Sequence, residues 1–248
     1  PYTLGTTGGA ALGAVIAISV PHLWQTWGPF SSVQAFALVG AGAALLCIYL
    51  LARHRGGLSM YTLLLTGVTL SILCASLVLL VRYLVNPHLL VQMDRWMMGG
   101  LDVVGYRELA SILPLLLPGL GLLLYQATPL NHLALGEDMA IGYGVDVTRL
   151  QRQAFVGGGL ATAAVVSLAG PIGFVGLVIP HIVRRLSGND LRLVMPGCFF
   201  LGGATLAACD AVARTVVAPS EMPVGIITAV LGCPVFIWIL VRATNRTR

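Results

Sequence analysis

The residues of this chain that could do chemistry are few and far apart. His181, Arg184 and Arg185 close an almost purely apolar stretch from Ala169 to Asp190, "AGPIGFVGLVIPHIVRRLSGND", which Gly170, Pro171, Gly173 and Pro180 interrupt. Asp210 and Arg214 stand one helical turn apart, the spacing of an intrahelical ion pair. An enzyme working inside a membrane would set His181 against Asp210 or Glu221 for proton transfer. No GxSxG or HExxH motif and no pair of in-membrane aspartates accompanies these residues. An ion-coupled carrier would want a charged residue at mid-membrane, and every long apolar window here lacks one. There is no GxxxxGK[ST] loop to hold nucleotide phosphates, so energy from ATP must come through a separate subunit. Cys47, Cys74, Cys198, Cys209 and Cys233 all lie inside apolar segments without a CxxC. They read as small buried hydrophobes, and neither a disulfide framework, a metal site nor a cofactor is expected.

Such scattered residues must be positioned by the apolar bulk of the chain. Its 248 residues are 57% hydrophobic and 9% charged, with a mean hydropathy of +0.91. Soluble domains carry roughly 25% charged residues, so this composition describes an all-α polytopic membrane protein. The formal charge is +5, and every basic side chain other than His is Arg. The arginines are scattered at segment ends and form no basic run, which argues against nucleic-acid binding. Uncharged windows of spanning length appear at Val33–Ala52, Leu58–Val81, Leu109–Leu130 and Met222–Val241. Leu193–Cys209 and Gly5–Val20 are shorter, the latter running into a Pro21–Trp27 loop. The pairs Gly40/Gly42 and Gly202/Gly203 read as small residues for close helix packing.

The window Gln153–Pro180 is too long for one crossing and too short for two. Placing Arg53, Arg55, Arg149, Arg152, Arg184, Arg185, Arg192, Arg242, Arg246 and Arg248 inside leaves only Arg82, Arg95, Arg107 and Arg214 outside, as the positive-inside rule expects. That topology has eight crossings with both ends cytoplasmic. It makes Gln153–Pro180 the start of a hairpin that turns at Gly170–Gly173 and returns through about Ser187. The returning arm, roughly 21 Å long at 1.5 Å per residue, is shorter than a 30 Å hydrocarbon core. Unpaired backbone at such a turn is tolerated only inside protein or beside a watery cavity, so the break marks a short helix beside a pathway. Asn86–Glu108 reads as an external surface helix plus turns, with Trp96 and Tyr106 at the membrane interface. Asn131–Gln151, "NHLALGEDMAIGYGVDVTRLQ", is the longest polar connection on the cytoplasmic side. It comprises two short helical patterns parted by Gly142 and Gly144, and a loop of this length usually binds something.

Taken together, "AGPIGFVGLVIPHIVRRL", "NHLALGEDMAIGYGVDV", "WMMGG" and "SEMPVGIITAVLGCPVFIWIL" resemble the FecCD-type permeases, and "PYTLGTTGGAALGA" resembles the segment that opens that family's third helix. These are the transmembrane subunits of type II ATP-binding-cassette importers for ferric siderophores, haem and vitamin B12. The resemblance runs in order along essentially the whole chain, as one transmembrane permease domain. It implies a ten-helix fold in a bacterial inner membrane, two of whose N-terminal helices lie before Pro1. It also implies a homodimer with a central pathway, two cytoplasmic ATPase subunits below and a periplasmic binding protein above.

The same resemblance implies residue roles. The loop 131–151 would be the ATPase coupling element, with Leu135, Gly136, Glu137, Asp138, Gly142 and Gly144 at its centre. Arg184 and Arg185 would either touch the ATPase or the coupling loop, or act as snorkelling interfacial anchors. Arg214, with Glu221, matches the family's docking position for the binding protein, against the plainer reading of Arg214 as the partner of Asp210. Thr6, Thr7 and Gly8, and likewise Ser59, Met60 and Tyr61, resemble gate regions. Ordinary helix capping is the competing explanation for both. The pathway walls implied are Leu58–Val81, Phe174–Ser187 and Val224–Val241, nearly featureless surfaces suited to releasing a large ligand.

Overall fold

The computed structural model describes residues 5–20, 31–54, 60–101, 105–216 and 222–244, and its regular elements there are all α-helices. In chain order they are α1 (Thr6–Ser19), α2 (Ser32–His54), α3 (Met60–Leu84), α4 (Pro87–Met98), α5 (Tyr106–Tyr125), α6 (Ala127–Leu133), α7 (Glu137–Gly142), α8 (Val147–Ala169), α9 (Val175–Ser187), α10 (Leu191–Val216) and α11 (Val224–Thr244). Among the described residues the apolar windows of spanning length read from the sequence are helical, except that Leu109–Leu130 breaks at Gln126 into α5 and α6. Four stretches, Ser32–Leu51, Tyr61–Leu84, Tyr106–Tyr125 and Leu191–Val216, are long and apolar enough to cross a membrane; Thr6–Ser19 and Val224–Ile239 are shorter apolar helices. The remaining two expected crossings differ for physical reasons. α8 carries Arg149 and Arg152 in its first turns, and α9 has only 13 residues, about 20 Å.

The chain divides into two compact units: Pro1–Met97 with Asp102–Pro171, and Met98–Leu101 with Ile172–Arg248. In the first, α1 and α2 meet backbone to backbone. A Cβ built on Gly9 would stand 2.4 Å from Gly40 O, and one on Gly13 would stand 2.1 Å from Phe36 O. Around this contact Ala10, Ala14, Ala37 and Ala41 are fully buried, and Ala163 and Val166 of α8 complete the cluster. Association without a hydrophobic drive depends on such close approach. Gly42 and Gly203 meet no atom within 4 Å. Helix positions one or two apart do not share a face, so only Gly40 and Gly202 of the expected pairs point at a neighbouring helix, Gly202 at Ile179 Cγ2, 4.0 Å away.

α4 is the helix expected in the external segment. Its buried Leu89 and Met93 turn toward the first unit's interior, and Met93 joins Val15, Ile18 and Val78 in one cluster. Arg82, in the last turn of α3, pairs with Asp94 of α4, and its Nη1 also lies 3.8 Å from Met97 Sδ. Tyr106 is exposed, as an interfacial residue would be. Trp96 instead packs inward against both the alanine cluster and the Met93 cluster.

In the second unit α9 rests on α10 through Ile179, Val183 and Val194. Cys209 and Ala213 of α10 meet Val224 of α11. Pro180, Pro196 and Pro234 lie within α9, α10 and α11 without ending them.

Candidate functional site

The segment expected to couple to an ATPase begins earlier than its sequence suggests. α5 stops at Tyr125, and the chain turns at Gln126 into α6. Pro129 explains the corner: it has no N–H to give the carbonyl of Tyr125, so a straight helix would lose that bond. The two helical patterns expected on either side of Gly142 and Gly144 are α7 and the start of α8; α6 is an additional short helix before them, and Gly136 at φ 123° and Gly144 at φ 77° supply the sharp turns. Glu137 and Asp138 fall in the first turn of α7, where carboxylates favour the helix dipole. Ala140 anchors α7 inward, while Leu135, Met139, Ile141 and Tyr143 are exposed. The segment is closed on itself. His132 stacks on Tyr143 with ring centroids 4.6 Å apart, Val145 N–H donates to Ala140 O at 3.0 Å, and Asp146 caps α8 by accepting from Arg149 N–H at 2.9 Å. This is a firm acidic and apolar knob.

Of the residues matched to gates, Thr6 and Thr7 are buried in the first turn of α1, and Gly8 faces Ser71 and Cys74 of α3. Gly5, at φ 69°, is the N-cap, so neither threonine caps the helix with its side chain. The hydroxyl of Thr7 is buried without a hydrogen-bond partner. Tyr61 is exposed at the start of α3. Ser59 lies outside the described residues, and Met60 opens α3. At the other end of the first unit, Ser31 and Gln34 form a reciprocal cap, each accepting from the other's backbone N–H at 3.2 and 3.1 Å. They border a cavity of about 240 Å³ that Gln92, Trp96 and Glu108 also line.

The interrupted stretch breaks where the glycines and the first proline predicted. α8 ends at Ala169, Gly170 takes φ 67°, and α9 resumes at Val175. The residue before α9 is Phe174 at φ 62°, the one non-glycine with positive φ among the described residues. A bulky residue there is strained and must be held by its surroundings. Gly232 of α11 leaves the room: a Cβ on it would fall 2.4 Å from Phe174 Cβ. At the opposite end of α9 the two arginines diverge. Arg184 is within electrostatic reach of Cys198 on α10. Arg185 lines a cavity of about 140 Å³ between α9 and α11, with His181, Leu186, Val235 and Trp238.

Near the end of α10, Arg214 Nε donates to Asp210 Oδ2 at 2.9 Å. Arg214 remains half exposed, so the pairing leaves it accessible to a partner. Glu221 lies outside the described residues. His181 and Asp210 are not brought together: Ile179 is level with Gly202, and Asp210 is about two turns further along α10. Two widely separated motifs do meet. Gly225 N–H donates to Gly99 O at 3.2 Å, and a Cβ on Gly225 would lie 1.8 Å from Met98 O. "WMMGG" and the start of α11 are thus complementary pieces of one joint.

Residues 1–242 match the FecCD transport family. The chain belongs to that family. It is 38% identical over 248 residues to the vitamin B12 import system permease protein BtuC of Klebsiella pneumoniae subsp. pneumoniae, covering 99% of this chain and 72% of that protein. It is also 38% identical, over 243 residues, to the BtuC protein of Escherichia coli O139:H28, covering 98% of this chain and 73% of that one. Among solved structures it resembles an inward-facing chain assigned to the metal-chelate type of ABC transporter, with a TM-score of 0.86 and 28% identity over 98% of this chain and 75% of that one. Two polar contacts within this FecCD chain escaped the sequence reading. One is Arg82 with Asp94; the other joins Gln126 to Gln153, where the Gln126 Nε2 group donates to Gln153 Oε1. Asp94 follows Arg82 across the turn between α3 and α4 and could have been suspected from charge alone. Nothing in an apolar pattern announces the glutamines.

Proposed function

We propose that this chain is the membrane-spanning permease subunit of an ATP-binding-cassette importer carrying a bulky metal chelate, cobalamin first among them, into the bacterial cytoplasm. The observation that carries the reading is 38% identity to vitamin B12 import permeases along almost the whole chain. The closed knob of α6 and α7 supports it. Acidic side chains at a helix start, beside exposed Leu135, Met139 and Ile141, suit insertion into a cleft of a cytoplasmic ATPase. In this reading the permease is a homodimer in the inner membrane with its C-terminus cytoplasmic, two ATPase subunits engage residues 131–151, and a periplasmic binding protein docks on a surface that includes Arg214 and Glu221. Thr6 to Gly8 and Ser59 to Tyr61 then belong to gates, and Arg184 borders the coupling side.

The test is reconstitution in proteoliposomes with the chain's own ATPase subunit and binding protein. Labelled cobalamin is expected to accumulate only with ATP. Accumulation of a ferric siderophore or haem in its place would move the substrate within the class. No ATP-dependent accumulation of any of the three would overturn the importer reading.

A further inference from the structure

Gln126 is 4% exposed and ties three elements together from one position. Its backbone N–H points back at the carbonyls of Leu122 and Leu123 in α5, at 3.2 Å each. Its carbonyl accepts from Leu130 N–H of α6 at 2.9 Å. Its side-chain amide reaches Gln153 in the second turn of α8. A buried primary amide without a partner would be strongly unfavourable, and a glutamine side chain is a natural partner because it offers both a donor and an acceptor.

The pair has a defined place in the register. α5 and α8 run antiparallel: a Cβ on Gly119 would lie 2.9 Å from Ala161 N and 2.8 Å from Gly157 O, and one on Gly157 would lie 3.3 Å from Leu123. As α5 advances from Gly119 to Gln126, its partner on α8 moves back from Ala161 to Gln153. The glutamines therefore join the two helices where both enter the α6–α7 segment. Everything between them in sequence is the closed knob.

We propose that Gln126 and Gln153 are positioning residues, a polar clamp that locks the two stems of the α6–α7 segment so that displacement of α7 is delivered to α5 and α8 together. This rests on α6–α7 being the ATPase coupling element. With the clamp open, the stems can slide against each other and part of a displacement at α7 is lost in the corner at Gln126.

The alternative is that Gln153, itself half-buried, only satisfies the buried amide of Gln126. Leucine substitutions separate these roles. Gln153→Leu strands the buried amide of Gln126, whereas replacing both removes the stranded group and can be nearly neutral for stability. In the reconstituted importer, Gln153→Leu is expected to lower the thermal midpoint. The double variant is expected to recover it, keep wild-type affinity for the ATPase, and yet import at least threefold less substrate per ATP hydrolysed. Gln153→Asn keeps the polar group but withdraws it by one methylene; it is expected to show the same loss of uptake per ATP with the fold intact. Wild-type uptake per ATP in the double variant, or in Gln153→Asn, would overturn the clamp. Glu137→Ala with Asp138→Ala, made in parallel, tests the underlying reading by itself. If that variant keeps both ATPase affinity and uptake per ATP, the coupling role of α7 falls, whatever the glutamines do.

Discussion

Phe174 occupies the space that a side chain on Gly232 would need. The strained φ of 62° at Phe174 and the bare backbone of Gly232 are two halves of one arrangement that fixes the head of α9 against α11. Gly232→Ala is expected to destabilise the protein by ~1–3 kcal/mol through overpacking, read as a lower thermal midpoint in detergent. Pairing it with Phe174→Gly, which removes the Cβ the new methyl would meet and suits the positive φ, should recover part of the loss. If Gly232→Ala alone leaves the midpoint unchanged, α11 is not pinned there.

Thr7 hides a hydroxyl with no partner among the described residues in the first turn of α1. Thr7→Val keeps the shape and removes the stranded group, so the variant should gain about 1 kcal/mol in stability. A purely structural Thr7 predicts unchanged transport alongside that gain. A gate residue predicts impaired transport in a protein that is more stable than the wild type. Measuring uptake and thermal midpoint on the same preparation separates the two.

Arg214 is already paired within its helix, which changes how its substitution must be read. Asp210→Asn removes the intrahelical pair, worth a few tenths of a kcal/mol, and should leave docking of the binding protein nearly untouched. Arg214→Glu should slow association about tenfold and flatten its dependence on salt, the behaviour of a charge at an interface rim. Equal, small effects of both substitutions on association kinetics would confine Arg214 to α10.

The exposed apolar side chains of α7 should matter as much as its carboxylates. Met139→Ala is expected to weaken ATPase association about tenfold, or ~1.4 kcal/mol, with little change in permease stability because the side chain is half exposed. Titration of the purified permease with its ATPase subunit measures this directly. A cysteine at Asp138 should also react with an impermeant reagent only from the cytoplasmic side; labelling from the periplasm would invert the topology.

Helix positions were legible in the sequence because length and apolarity alone decide them in a membrane. The break was legible too, since Gly170 and Pro171 each disrupt a helix for a stated reason, and Gly142 and Gly144 marked the division between α7 and α8. Contacts between helices were not. A window such as Leu58–Val81 is apolar on every side, so it carries no polar face to tell which residues turn inward. Gly40 and Gly42 look alike in sequence, yet only the first meets another helix. For the same reason the meeting of Gln126 with Gln153, of Arg82 with Asp94, and of Met98 with Gly225 waited on the register between helices. The corner at Gln126 was missed because "YQATPL" is uncharged and extends an apolar window whose end Pro129 quietly sets.

The contact between α1 and α2 has a consequence for motion. Its central side chains are Ala10, Ala14, Ala37 and Ala41, with Gly9, Gly13 and Gly40 at the backbone approach. Alanine and glycine have no rotamers to exchange, so this interface cannot relax by reshuffling side chains as a leucine core can. It has one way to fit. During a transport cycle the pair is therefore expected to travel as a single piece, and whatever bends must do so elsewhere, in segments such as Gly170–Phe174 where the backbone is not helical.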